Sequence, residues 1–117
     1  MKQPKFPIPT SFMSAGFKIQ VFYDPKMIDG KKAEVGLNCL GSQEIYIQPP
    51  VKDRVSEGVS RQAFLHELIH QITWAMGRTD LCHSEIFVDA FAHQLFQFLE
   101  TAKGDLLGIW RKELVKK

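Results

Sequence analysis

The sequence predicts an α+β domain: a small three-stranded antiparallel sheet, then two long helices. Three observations predict it. Apolar residues alternate at period two through the first half of the chain. They recur at three-to-four spacing through the second half, and no repeat, linker or low-complexity tract separates the two. Strands first and helices after is the order that packs helices on one face of an antiparallel sheet.

Residues 1–12 carry Pro4, Pro7 and Pro9 and read as an extended arm, since proline is excluded from a helix interior. The first strand starts after Gly16, with Phe17, Ile19 and Val21 facing one way and Lys18, Gln20 and Phe22 the other. Asp24-Pro25 and Asp29-Gly30 mark turns. A second strand runs through Ala33, Val35 and Leu37, and Gly41-Ser42 turn the chain. The third strand covers Gln43 to Gln48, with Ile45 and Ile47 on one face and Glu44, Tyr46 and Gln48 on the other; Pro49-Pro50 end it.

Ser56 or Ser60 caps the first helix. Its helical spacing is carried by Val59, Ala63, Leu65, Leu68, Ile69, Ile72 and Met76, and Gly77 is its stop signal. A short loop, residues 78–83, leads to Ser84, the cap of a second helix reaching about Ala102. The apolar stripe of that helix is Ile86, Phe87, Ala90, Phe91, Leu95, Phe98 and Leu99, and Gly104 closes it. Residues 105–117 read as a short amphipathic C-terminal helix.

At 117 residues the chain has the length of one domain, and its 44% hydrophobic and 24% charged composition is that of a globular core, not a disordered one. A net charge of +2 is too weak to argue for nucleic acid or an anionic membrane. The basic residues at the ends (Lys2, Lys5, Arg111, Lys112, Lys116, Lys117) read as solvated charge. No window reaches the ~20 apolar residues of a membrane span, and the first residues lack an apolar stretch of signal-peptide length. Cys39 and Cys82 stand far apart, in no metal-like spacing. The expectation is a cytoplasmic protein with free, mostly buried thiols. Oligomeric state is not legible.

Chemistry enters with His66-Glu67-Leu68-Ile69-His70, an H-E-x-x-H segment inside the first predicted helix. Residues four apart share a helix face, so two imidazoles there can grip one zinc ion without distorting the backbone. Glu67 leans toward the place of an attacking water and is the candidate general base. The flanking Phe64, Leu65, Ile69 and Ile72 suit a buried helix better than two unrelated surface histidines. A third ligand is needed. The extended pattern with glycine and histidine further along is excluded, because the chain has Thr73 and Met76 there. Glu85 opens the second helix after fourteen intervening residues and is the candidate, with His83 as a rival. The other reading of Glu85 is a first-turn carboxylate favoured by the helix dipole. Asp89, one turn later, is placed to accept a hydrogen bond from a ligand histidine and so orient it. His93, a further turn on, is either a donor to a tetrahedral oxyanion or a structural histidine. Tyr46, Tyr23 and Arg78 are weaker candidates for that contact.

Phe64 to Ile72, followed by Glu85-Ile86-Phe87-Val88-Asp89-Ala90-Phe91-Ala92, resembles the minimal gluzincin-type metallopeptidases of bacteria and their phages. The ImmA/IrrE-like and SprT-like groups are the nearest. The resemblance spans roughly residues 33–100 and is strongest over the H-E-x-x-H segment. It implies a zincin-like minimal core, with Zn2+ held by His66, His70 and Glu85 and with Asp89 as orienter. It also implies an edge strand, Gln43 to Gln48, on which an extended peptide is held by main-chain hydrogen bonds. Neither the helix-turn-helix domain of some relatives nor the cysteine-rich zinc module of others has a counterpart in these residues, so a DNA-bound substrate is analogy alone.

Two readings follow. The leading one is a zinc-dependent peptidase acting on a protein or peptide substrate. The alternative is a non-catalytic metal-binding or regulatory interaction protein with a decayed or structural site. An open position at the metal favours the first; closure by His83, Cys82 or His93 favours the second.

Overall fold

A computed structural model of the chain describes residues 8–31 and 34–102. Most of the N-terminal arm, Ala33 and the expected C-terminal helix lie outside the described residues, as do all six terminal basic residues named above.

The fold is α+β. Its strands are β1 (Ser11–Ser14), β2 (Phe17–Tyr23), β3 (Gly36–Cys39) and β4 (Glu44–Ile47). Its helices are α1 (Glu57–Ala75), the one-turn α2 (Thr79–Cys82) and α3 (Glu85–Thr101). The sheet order is β1-β2-β4-β3. β1 and β3 run antiparallel to their neighbours, but β2 and β4 pair in parallel. The sheet is thus four-stranded and mixed, not three-stranded and antiparallel.

Two corrections explain the difference. The end of the expected arm is a strand: Ala15 and Gly16, both at positive φ (51° and 84°), join β1 to β2 as a two-residue hairpin. Positive φ at both loop residues belongs to a turn whose twist matches its strands, and Asn-Gly is its usual signal. Ala-Gly hides it. The second correction concerns β4, which is an interior strand, not an edge. Val21 lies beside Ile45 in the register, and Ile19, Val21, Ile45 and Ile47 are all buried. The two most apolar strands take the centre. β3, whose inward positions are Gly36 and Asn38, is left at one edge and β1 at the other.

The helices begin and end where local chemistry says. Ser56 Oγ accepts the Val59 N–H (3.1 Å) and Ser84 Oγ accepts the Phe87 N–H (3.2 Å), satisfying donors that a helix start leaves unpaired. Gly77, at φ 76°, ends α1. The Arg78 N–H reaches back to the Thr73 carbonyl and the Gly77 N–H to that of Trp74, the paired bonds of a left-handed glycine stop. α1 packs against the sheet on one side and α3 on the other, so it is buried well beyond one stripe. Ala63, Phe64, Leu65 and Ile69 meet the four buried sheet residues, and Val88 and Ala92 of α3 complete the core. Phe12 of β1 sets its ring edge-on to Phe64.

Gln48, fully buried, ties the chain after β2 to the strand beside it. Its side chain accepts the Ile28 N–H and donates to the Pro25 and Pro49 carbonyls, while Ser60 Oγ donates to its main-chain oxygen. Every polar atom of the group has a partner, as burial demands.

Candidate metal centre

His66 and His70 lie one turn apart on α1, on the face that α3 and α2 cover. Ser84 caps α3, so Glu85 stands in its first turn beside both rings. His66 Nε2 and His70 Nε2 are 3.2 Å apart. Glu85 Oε2 is 3.2 Å from the first and Glu85 Oε1 is 3.1 Å from the second.

The outer nitrogens fix the tautomers. His70 Nδ1 lies 2.6 Å from the Cys82 carbonyl oxygen, which can only accept, so Nδ1 carries the hydrogen. His66 Nδ1 lies 2.8 Å from Asp89 Oδ1 and donates to it. With Nδ1 as the donor, the Nε2 atom of each ring in its neutral form presents a lone pair to the other and to a carboxylate. Three acceptors facing one another at this range repel unless a cation lies between them. Ligands at 2.0–2.1 Å from a tetrahedral zinc stand roughly 3.3 Å apart, close to the spacings found. His66, His70 and Glu85 are the group of the described residues that could hold a metal ion.

Glu67 lies beside this triangle, its side chain packed against Gly36 of β3. It is 8% exposed, and burial pushes its carboxyl up to about 7, with the nearby charges of Glu85 and Glu34 adding to the effect. Asn38 Nδ2 of β3 donates to the Glu67 carbonyl oxygen (2.9 Å). The space between β3 and α1 forms a groove of two lobes, of about 450 and about 410 Å³, that share Glu34, Gly36, His66 and Glu67. One lobe runs past Val35, Val59, Gln62 and Ala63; the other runs past Leu37, Asn38, Leu40, Cys82 and His83.

Comparison of the chain with protein-family models, with curated proteins and with solved structures found no match. The geometry alone therefore carries the functional argument.

Of the residues singled out in the sequence, His66, His70, Glu85 and Asp89 converge, and Glu67 stands beside them. His83 lines one lobe but is not in the metal-holding group. His93 is exposed at the margin of the other lobe, its Nδ1 3.5 Å from Gln62 Nε2. Tyr46 is not brought to the groove. Period-two alternation puts it on the sheet face opposite Ile45 and Ile47, where its hydroxyl donates to Glu44 Oε1 and its ring stacks on Phe22. Tyr23 does not line the groove either, and Arg78 is held in a two-pronged bond to Asp80. Three contributors escaped sequence reasoning. The Cys82 carbonyl is main chain and has no residue code. Gly36 and Asn38 are meaningful only once β3 lies against Glu67.

Proposed function

We propose that the chain is a zinc-dependent peptidase of the minimal gluzincin type, with a zincin-like core, working in a reducing compartment such as the cytoplasm. One observation carries this reading: two imidazole lone pairs and a carboxylate converge at metal-ligand spacing, with a buried glutamate beside them in an open groove. Both cysteines are free, and no described helix is long and apolar enough to cross a membrane.

His66, His70 and Glu85 would hold the ion, and Asp89 and the Cys82 carbonyl keep the rings in the ligating tautomer. When bound, zinc supplies Lewis acidity toward a water and a scissile carbonyl. Glu67, tuned by burial toward neutrality, accepts a proton from the attacking water and hands it to the departing amine. β3 is the sheet edge beside it, so its outer main-chain groups are the ones available to an extended peptide; β4 is paired on both sides.

The alternative, a non-catalytic metal protein, calls for a closed fourth position. Among the described residues no fourth protein ligand joins the group, and the Cys82 thiol sits 4.0 Å from Nδ1 of His70, on the far side of the ring. Metal analysis of protein purified without added zinc, with peptide hydrolysis measured on the parent and Glu67→Gln, tests the choice. The expected result is one zinc per chain in both and turnover in the parent alone. Zinc in both with no turnover in either supports the non-catalytic reading.

A further inference from the structure

Gly36 is the described glycine most closely approached by another residue's side chain. A methyl group added there would stand 3.1 Å from Glu67 Oε2, 3.2 Å from Glu67 Cγ and 3.4 Å from Ala63 Cβ. Its backbone is not in the left-handed region, so nothing in its conformation requires glycine; the requirement is space. Glycine within a strand often marks such a close approach. Two residues along β3 and on the same face, Asn38 holds the Glu67 carbonyl through its amide. The two inward-facing positions of this short edge strand thus both touch one residue of α1.

We propose that Gly36 is a positioning residue for Glu67: lacking a side chain, it leaves the room in which the carboxylate lies between the edge strand and the two histidines, while Asn38 tethers the main chain of the same residue. The inference rests on the peptidase reading for its catalytic meaning but not for its geometry. The strand offered to a substrate is then the same strand that sets where the base stands. A methyl group at position 36 obliges the Glu67 side chain to give way by a few tenths of an ångström.

Two measurements on Gly36→Ala test this. In the zinc-loaded protein, the expected result is unchanged zinc content, KM within about twofold of the parent, and kcat lower by roughly tenfold, since misplacement by an ångström can cost about a hundredfold. In the metal-free protein, Gly36→Ala lowers Tm in the parent background and much less in a Glu67→Ala background, where the obstructing atoms are gone. A Gly36→Ala chain that folds only in the Glu67→Ala background counts as the same coupling. Equal Tm losses in the two backgrounds overturn the proposal, as does an unchanged kcat in an active parent or a kcat that falls only in step with zinc content. If the parent shows no turnover, the peptidase reading fails by itself and the unfolding comparison still decides the place of Gly36.

Discussion

Glu67 carries a cost that follows from its position. In the metal-free protein its carboxyl titrates near 7 against an ordinary 4.5, mainly because it is buried, with Glu85 and Glu34 facing it. The folded state therefore holds the proton more tightly than the unfolded state. The associated stability is complete below about pH 4.5 and is lost as pH rises through about 7. With each tenfold change in proton affinity worth about 1.4 kcal/mol, that loss is on the order of 3 kcal/mol. The expected outcome is that metal-free parent and Glu67→Gln differ in the slope of Tm between pH 5 and 8, the variant lacking the fall that this group contributes. Identical slopes would contradict a buried, proton-retaining Glu67. The histidines give a second prediction. Asp89 holds His66 in the tautomer that points its lone pair toward His70 and Glu85, so Asp89→Ala should weaken zinc binding about 10- to 100-fold, read by competition with a chelator of known affinity. The H-E-x-x-H spacing, Glu85 and Asp89 were legible in the sequence because helical periodicity places them on faces. The Cys82 carbonyl was not, since any residue can offer one.

Helices and strands differ in how much of them local sequence announces. α1 runs between a serine and the glycine expected for it, and α3 starts at its expected serine, because caps are hydrogen bonds made within a few residues; Gly104, the expected stop of α3, lies outside the described residues. The β1–β2 hairpin was invisible because its loop is Ala15-Gly16, and alanine is a poor occupant of positive φ. Asparagine tolerates that region and suits this turn. Ala15→Asn is therefore expected to stabilise the protein by about 0.5–1 kcal/mol, seen as a Tm higher by a few degrees. A lower Tm would mean the loop does not have this geometry. Strand order was likewise hidden. Alternation shows which residues share a face of β4, hence that Tyr46 opposes Ile45 and Ile47, but not whether a strand has neighbours on one side or two.

Across the whole molecule, the group that could hold a metal joins two helices that otherwise meet through their apolar stripes. Ligands from α1 and α3 exist together only in the folded chain, so an ion bound there stabilises the native state by mass action, about 4 kcal/mol at a thousandfold excess over Kd. Zinc should raise Tm by more than 10 °C, a chelator should reverse the gain, and Glu85→Ala should abolish most of it. An unaltered Tm on zinc addition would argue against the centre. By itself the sequence determined what depends on near neighbours: the α+β order, the capped helices, the two histidines one turn apart, and the carboxylates opening α3. Only the tertiary structure decided the rest: β4 between β2 and β3, β3 as an edge beside α1, and Gly36 against Glu67. Periodicity and capping act over one or two turns of chain. Pairing across the sheet is chosen by which apolar strands can be buried together, and that choice involves residues more than twenty positions apart.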